Sequence, residues 1–398
     1  MGRKGSRSRA DDTDARITYR DVGVDTARIS RIHSMIGSMI AGTHDEHVIS
    51  GYGHYAGLIS IDDERVLAMH TDGVGSKVIV ASLSERYDTI GIDCIAMNAN
   101  DIICVGATPV AFVDYLALRR PEPRMVEEIM NGLAHGAREA SVSIVGGEVA
   151  VLPDLLADEL QGMKEKEKEK EKDRSRGRRG SSSSRRGRSS RSSRGRYGDG
   201  DGDGHNTFDL AGTIVGIARK DELILGESIA VGDTIVGIAS NGLHSNGYTL
   251  ARRVLLSRYR LDERIDELGS TLVDELLRPT RIYVRPVLDV IRSIDVHGIA
   301  HVTGGAFTKL IRLNDNVRFI LDSMPEPPEV FRLIQKHAGI DEKEMYSTFN
   351  MGIGMCIITA KGDEDAVISI CRSHGMDAMV VGRVDEGKGV YIKDTRLV

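Results

Sequence analysis

Tryptophan is absent from the sequence, and aromatic residues of all kinds make up only 4% of its 398 positions. A core must therefore be packed mainly by Ile, Val, Leu, Ala and Met, and the chain is long enough to form two domains in this way. Cysteine is also scarce, since there are four in all and none follows another in CxxC spacing. This usage favours buried thiols in a reducing compartment over a disulfide scaffold or a cysteine metal site.

Long apolar runs are absent too. No segment approaches the roughly eighteen apolar residues that a membrane-spanning helix needs. The basic N-terminus is not followed by the apolar stretch of a secretion signal. We therefore expect a soluble, cytoplasmic protein that has no membrane partner.

The net charge of −6 is unevenly distributed along the chain. Residues 164–205 carry +7 and the first nine residues carry +4, so the rest of the chain carries −17. An acidic body is not typical of a nucleic-acid surface, and we therefore expect nucleic acid not to be a partner.

Residues 164–205 form a low-complexity insert of Lys-Glu repeats followed by Arg, Ser and Gly. Such a composition buries too little to offset the entropy of ordering, which predicts disorder, with helix conceivable only in the Lys-Glu repeat. One interpretation is an RNA- or partner-binding arm. The other is a tolerated surface loop, and it is favoured because Tyr197 is the sole aromatic residue on which a base could stack.

The rest of the chain alternates strand and helix patterns, which predicts a mixed α/β (α+β) fold in two halves. We expect a disordered basic tail at 1–17, an N-terminal domain at 18–219 that contains the insert, and a C-terminal domain at 220–398. Strands are predicted at 65–72, 108–118, 142–148, 208–218, 232–240, 318–322, 354–360 and 377–384, and helices at 88–107, 121–141, 246–256, 327–339 and 363–375.

The stretch "MHTDGVGSK", residues 69–77, looks at first like a phosphate-binding loop. It lacks the upstream glycine and the Gly-Lys-Ser/Thr order of a P-loop, and it contains a carboxylate. We interpret it differently: Asp72 holds a divalent cation, Lys77 neutralises phosphate, and Gly73 and Gly75 let the backbone approach closely.

Polar side chains also interrupt the apolar helix predicted at 88–107. Asp93 and Asn100 lie seven positions and only about 20° apart on a helix, and Asp101 adjoins them. Each one alone is equally well explained as a buried group bonded to backbone. Together they favour a cation, because an unpaired buried carboxylate is costly.

Two further carboxylates occur in strands. Asp114 alternates with Phe112 and Leu116 and therefore shares their apolar face. Glu148 follows two glycines at the end of the next predicted strand. With Asp72, Asp93, Asn100 and Asp101, these oxygens would suit Mg²⁺ bound to phosphates.

Loops of the second half carry the remaining candidates. His244, Ser245, Asn246 and Gly247 precede a helix start, where N–H groups attract anions. A lone histidine is more often structural, but its place between two Asn-Gly steps leaves the two readings about even. The loops with Thr303, Gly304 and Gly305 and with Asn350 repeat this combination of polar residues and glycines.

In this order, the motifs resemble the phosphoribosylformylglycinamidine cyclo-ligase (aminoimidazole ribotide synthetase) family, part of an ATP-using superfamily. They cover nearly all of residues 18–385 outside the insert. The motifs are "TYRDVGVD", "TDGVGSK", "DTIGIDCIAMNANDI", "GATPVAFVDYLA", "GGE", "SNGLHSNGYTLAR", "AHVTGGAF" and "TFNMGIGM".

The resemblance implies that ATP activates the formamide oxygen of formylglycinamidine ribonucleotide as an iminophosphate. The amidine nitrogen then closes the imidazole, releasing ADP and phosphate. It also implies a homodimer whose N-terminal sheets form a barrel between subunits, and a requirement for Mg²⁺. The number of Mg²⁺ ions, any K⁺ requirement and the general base stay open.

The expected site residues fall into four groups. Lys77 and His244 are the catalytic candidates. ATP is expected at Asp72, Gly73, Gly75, Lys77, Asp93, Asn100 and Asp114. Metal is expected at Asp72, Asn100, Asp101 and Glu148. The ribonucleotide is expected at His244, Ser245, Asn246, Gly247, Thr303, Gly304, Gly305 and Asn350.

Three features depart from the family pattern. The loop "SGYGHYAG" at 50–57 has fewer glycines than usual, "GGEVAVLP" lacks the usual hydroxyl after Glu148, and the basic insert follows. Two alternatives remain: a small-molecule kinase of the thiamine-monophosphate kinase type, and an RNA- or partner-binding protein that acts through the Arg/Ser insert.

Overall fold

The computed structural model of the chain describes residues 18, 21–23, 25–154, 156 and 206–398. The predictions of a disordered tail at 1–17 and of a disordered insert at 164–205 concern residues outside these ranges.

The first half is built on a six-stranded sheet. Its order is β1-β2-β3-β6-β4-β5, and all neighbours are antiparallel except β4 and β5. The strands are β1 (Val48–Ser50), β2 (Gly57–Ser60), β3 (Arg65–Gly73), β4 (Thr108–Leu118), β5 (Ser143–Val151) and β6 (Phe208–Arg219). The helices are α1 (Thr26–Ile40), α2 (Lys77–Ser84), α3 (Ile90–Ile103) and α4 (Pro123–Ala140), with a 3₁₀ turn at Ala41–Thr43.

The second half is built on a seven-stranded sheet of order β10-β12-β7-β13-β11-β14-β15. Its strands are β7 (Thr234–Ala239), β10 (Val296–His301), β11 (Arg318–Leu321), β12 (Ile353–Thr359), β13 (Ala378–Asp385), β14 (Gly389–Ile392) and β15 (Thr395–Arg396); β8 (Arg264–Ile265) and β9 (Ser270–Thr271) form a separate hairpin. The helices are α5 (Tyr248–Leu255), α6 (Leu272–Leu276), α7 (Val284–Ser293), α8 (Glu329–Ala338), α9 (Glu342–Thr348) and α10 (Glu364–Ser373), with 3₁₀ segments at Lys220–Glu222 and Ala306–Arg312. The predicted mixed α/β class with two sheets is therefore confirmed.

Helix α3 forms the centre of the molecule because it is apolar on nearly every side. Thirteen of its fourteen residues are buried. It packs against α4 so closely that a Cβ on Gly91 would lie 2.1 Å from the backbone nitrogen of Leu133. It also contacts β3 and β6 of the first sheet and β10 of the second. The few polar side chains of α3 therefore lie between the two halves.

The helices cover only one face of the first sheet. Phe112, which faces the helices, is buried, whereas Tyr115 on the opposite face is 45% exposed. Met69, Val113 and Ile217 are also exposed on that face, which we call the open face. No helix among the described residues is both long and apolar enough to cross a membrane.

Candidate active site

The turn after β3 fixes the first carboxylate. Asn98 of α3 accepts a hydrogen bond from Asp72 N and donates one to Asp72 O, each 3.0 Å long. Gly75 has φ +70°, a conformation that glycine adopts without strain, and it leads the chain into α2. The end of β3 is thereby clamped to α3, with the Asp72 side chain at the edge of the sheet.

Lys77 begins α2, but its ammonium group points into the interior. Nζ lies 2.7 Å from Asp93 Oδ2 and donates to the Arg278 carbonyl at 2.7 Å, and both side chains of the ion pair are 0% exposed. Asp93 Oδ1 accepts from Thr280 N and Oγ1 at 2.7 and 2.6 Å. Burial lowers the pKa of Lys77, and the charge of Asp93 opposes that shift. This pair, expected to meet ATP, instead joins α2 and α3 to the 278–280 loop.

Asn100 also bonds to backbone of the second half rather than to a metal. Its Oδ1 accepts from Tyr283 N at 2.8 Å, and its Nδ2 donates to Arg281 O at 2.8 Å. The interpretation that one cation gathers Asp93, Asn100 and Asp101 does not fit these contacts. Two of the three side chains already have protein partners that satisfy them, which was the other explanation considered for each.

Asp101, in contrast, is flanked by two histidines, one from each half. His301 Nδ1 lies 2.6 Å from Asp101 Oδ1, and His70 Nε2 lies 3.4 Å from Asp101 Oδ2. Asn100 Nδ2 lies 3.4 Å from His301 Nε2. Because an ionised carboxylate can only accept, Nδ1 carries the proton that His301 donates to Asp101.

The two carboxylates at this place have opposite pKa shifts. Burial raises the pKa of Asp72, and the nearby charge of Asp101 raises it further. Burial would also raise the pKa of Asp101, but the hydrogen bond and charge of His301 outweigh burial and lower it. Asp101 is thus the fixed anion, and Asp72 is a carboxylate whose charge is not fully compensated.

Lys309, in the Ala306–Arg312 segment, is a cation whose charge favours the ionised form of both carboxylates. Its Nζ donates to Thr303 Oγ1 and lies 5.7 Å from the centroid of the Tyr55 ring. Burial lowers the pKa of Lys309, while the charges of Asp101 and Asp72 raise it. In the part of the chain that the structure describes, no ion pair joins Lys309 to an acid.

Asp114 and Glu148 lie apart from this cluster. Asp72 and Asp114 both pair in register with Gly212 of β6, so they flank it on one face, roughly 9 to 10 Å apart. The ring of Phe112 covers Gly212 between them. Glu148 pairs with Tyr115 and therefore points to the open face, away from Asp72. The expected metal set is not brought together within one chain.

The 244–247 loop lies beside two other glycine-containing loops, those of Gly75 and Gly304. Ser245 O lies 3.9 Å from where a Cβ of Gly75 would stand, and Asn246 Oδ1 lies 3.2 Å from that position on Gly304. Gly247 has φ +75° and a Cβ there would collide with Phe349. The sequence correctly predicted that the 244–247 loop precedes a helix, and the structure places this loop beside those of Gly75 and Gly304.

His244 itself is fully enclosed. It has φ +59° and its ring packs 6.2 Å from that of Tyr283, centroid to centroid. Burial lowers its pKa well below the ordinary value, and the positive charges nearby add to the shift. His244 is therefore a neutral side chain that can exchange hydrogen bonds but cannot neutralise a phosphate.

Asn350 ties its own loop to the loop that follows β7. Its Oδ1 accepts from Ser240 Oγ at 2.8 Å and from Gly352 N at 2.9 Å, and its Nδ2 donates to Gly242 O at 2.8 Å. The side chain is buried. These contacts give Asn350 a role in holding the loop before His244.

Sequence reasoning assigned no role to His70, His301 or Lys309. His301 and Lys309 adjoin the Thr-Gly-Gly loop, and His70 stands two residues before Asp72. For His70 a signal was available, because strand alternation puts it on the same helix-covered face as Asp72.

No group of three or more His, Cys, Asp or Glu side chains in the described ranges is arranged to hold a metal ion. Even so, Asp72 and Asp101 fit a metal–nucleotide complex. A divalent cation would offset the burial and the repulsion from Asp101 that raise the pKa of Asp72, and carboxylate oxygen is the donor that Mg²⁺ prefers.

Similarity to known proteins extends over both halves. The family model described as AIR synthase related protein, N-terminal domain, matches residues 53–160, and its C-terminal counterpart matches residues 230–395. The chain is 41% identical to the phosphoribosylformylglycinamidine cyclo-ligase of Methanocaldococcus jannaschii over 373 residues, covering 92% of each protein. It is 41% identical to that of Methanothermobacter thermautotrophicus over 382 residues, covering 95% of this chain and 97% of the relative.

Solved structures share the fold at much lower identity. The protein tt0281 from Thermus thermophilus aligns with a TM-score of 0.58 at 16% identity, over 92% of this chain and 97% of its own. A thiamine-monophosphate kinase from Stenotrophomonas maltophilia aligns with a TM-score of 0.55 at 18% identity, over 94% and 98%. These likenesses show the fold alone. The identity to the archaeal relatives over nearly the whole length shows more: the chain belongs to the phosphoribosylformylglycinamidine cyclo-ligase family.

Proposed function

We propose that this chain cyclises formylglycinamidine ribonucleotide to aminoimidazole ribotide, using ATP and releasing ADP and phosphate, in purine biosynthesis. The observation that carries the proposal is the 41% identity to cyclo-ligases over both halves. The geometry is consistent with the proposal. We call the contact region between the two halves, around α3, the seam, and there Asp72 and Asp101 lie close to His301 and Lys309.

ATP would enter as its Mg²⁺ complex, with Asp72 and Asp101 holding the metal. The bound metal would supply charge neutralisation for the phosphates. The turn at Gly73 and Gly75 would let backbone N–H groups approach the nucleotide. Lys77 would act indirectly, because its ion pair with Asp93 fixes the start of α2. K⁺ remains a candidate for an additional requirement.

The ribonucleotide would lie against the second half. Asn246, next to Gly304, is half-buried and could still exchange hydrogen bonds with a ligand. His244 would support that loop or accept a hydrogen bond as a neutral base, since burial keeps it uncharged. Asp114 and Glu148 lie outside the Asp72 cluster, and Glu148 would contribute only from the open face.

We also propose a cytoplasmic homodimer in which the open faces of two first sheets pair. That face exposes Met69, Val113, Tyr115 and Ile217, and a contiguous apolar patch on a sheet is typical of an interface. Tyr115→Asp should produce monomers in sedimentation velocity, whereas Val231→Asp, at an exposed valine of the second half, should not. A Tyr115→Asp protein that stays dimeric would place the interface elsewhere.

The deciding assay is ADP release that depends on formylglycinamidine ribonucleotide, with aminoimidazole ribotide detected as the product. The kinase alternative predicts a phosphorylated acceptor and no ring closure. It shares the fold, as the kinase structure shows, but it has no comparable sequence identity to support it.

The binding-protein alternative depends on residues 164–205, which lie outside the described ranges. Deleting 164–203 should leave turnover within a few-fold of the intact enzyme, because a segment of that composition contributes little to a core. Loss of turnover from a dimer that is otherwise intact would assign the insert to catalysis.

A further inference from the structure

Two lysines lie near the seam, and only one of them has a carboxylate partner. Lys77 is completely buried against Asp93. Lys309 is half-buried, and within the described ranges its Nζ donates to a hydroxyl and lies over the face of an aromatic ring but forms no ion pair. A partly desolvated cation that has no ion-pair partner carries a cost in the free protein. Such a cost is typical of a group whose partner is a ligand.

The surroundings of Lys309 contain further polar groups without partners. Both ring nitrogens of His54 and the hydroxyl of Tyr55 are buried and make no hydrogen bond within the described part of the chain. The Leu225 backbone lies near His54 but not in hydrogen-bond geometry. Burial lowers the pKa of His54 and raises that of Tyr55, so both groups are neutral and can donate.

These side chains form one cluster. The Lys309 Nζ lies 5.7 Å from the Tyr55 ring centroid, and the His54 and Tyr55 rings meet edge to face at 5.7 Å. Thr303 holds Lys309 from the other side. We call His54, Tyr55, Thr303 and Lys309 the lysine cradle.

We propose that the lysine cradle binds a phosphate group, with Lys309 supplying the positive charge that sequence reasoning assigned to Lys77. A phosphate offers acceptor oxygens to an ammonium, an imidazole N–H and a phenol, and these are the donors that the cradle holds. The inference rests on the proposed function, since ATP and the ribonucleotide both carry phosphate. The charges of Asp72 and Asp101 act on Lys309 through space, so the cradle lies near the carboxylates proposed to hold the metal.

The test measures binding rather than turnover. Lys309→Met removes the charge and keeps the length of the side chain. Titrations with Mg²⁺–AMPPCP and, separately, with formylglycinamidine ribonucleotide should show a loss of about ten- to hundred-fold for the ligand whose phosphate the cradle holds. Lys309→Arg should retain most of that affinity. Lys361→Met, which removes an exposed lysine of the second half, should bind both ligands as the wild type does.

Thermal unfolding separates a binding role from a structural one. The Lys309→Met substitution removes a partly buried charge that has no ion-pair partner in the ligand-free protein. The variant should therefore melt at the same temperature as the wild type or higher. Unchanged affinity for both ligands overturns the proposal, and so does a lower melting temperature with no loss of binding. If the wild type binds the ligands but makes no aminoimidazole ribotide, the proposed function is wrong. The two titrations then still decide whether the lysine cradle binds phosphate.

Discussion

Two regions of the seam between the halves combine lysine with aspartate, and they differ in how those charges are matched. At the first, Lys77 and Asp93 are fully enclosed, and Thr280 supplies the remaining hydrogen bonds to the carboxylate. At the second, Asp72 and Asp101 lie close enough to repel one another, and Lys309 is paired with neither. The first region is complete without a ligand, and the second is not.

The difference separates charges that stabilise the fold from charges that gain a partner only when a ligand binds. A matched buried pair holds two segments in one arrangement, and it is strongly destabilising to break. An unmatched set reduces stability in the free protein and gains a partner only on binding. The comparison therefore predicts that removing the charge of Asp72 or Lys309 raises the stability of the free protein, whereas removing the charge of Asp93 lowers it.

The largest effect is expected from Asp93→Asn. The amide oxygen can still accept from Thr280, but Lys77 is left as a buried cation without a counter-ion. We expect a loss of about 3–5 kcal/mol of stability, measured as a fall in the urea midpoint.

The double variant Lys77→Met with Asp93→Asn should recover most of that loss, because no uncompensated charge remains. A single variant as stable as the wild type would mean that the pair does not hold the seam. A double variant less stable than Asp93→Asn would assign the effect to packing by Lys77.

The next effect concerns activity in the second region. Asp72→Asn and Asp101→Asn each remove one of the charges proposed to hold Mg²⁺–ATP and change shape very little. Loss of one preorganised electrostatic contact typically lowers kcat by about 10²–10³. Both variants should stay folded by circular dichroism and should bind Mn²⁺–nucleotide more weakly in titrations. Turnover at the wild-type rate by either protein would remove that carboxylate from the site.

How far the sequence predicted these regions depends on the distance between partners. The alternation of β4 and the apolar length of α3 identified Asp114, Asp93 and Asn100 as buried polar groups, and all three are buried. Their partners could not be predicted, because Thr280 and Arg281 lie some 180 positions away and are matched only by folding. The sequence analysis assigned Lys77 to phosphate for the same reason, because residue spacing cannot show which carboxylate lies beside an ammonium group.

A smaller effect is expected at His301, which acts through Asp101. Its Nδ1–H orients one oxygen of the carboxylate at 2.6 Å. His301→Ala should lower kcat/KM by about ten- to hundred-fold, the usual cost of losing a group that orients a ligand-binding side chain. His301→Asn, whose amide can donate from a similar place, should restore part of that loss. Equal activity of the two variants would contradict the positioning role.

The smallest effect is a gain in stability, and it depends on pH. Burial and the charge of Asp101 raise the folded-state pKa of Asp72 above its ordinary value of 3.8. Below 3.8 the group is protonated in both states and has no effect on stability through its charge. As pH rises through the folded-state pKa, the folded protein must accept a charge that the unfolded chain accepts more readily, so stability falls. Asp72→Asn removes this penalty. In EDTA, the variant should therefore melt slightly above the wild type at neutral pH and level with it in acid.

Asp101→Asn is the matched control with the opposite sign, because the folded-state pKa of Asp101 is lowered, and this variant should melt lower at neutral pH. If both variants lose stability alike, Asp72 is as well matched as Asp93, and the two regions of the seam do not differ.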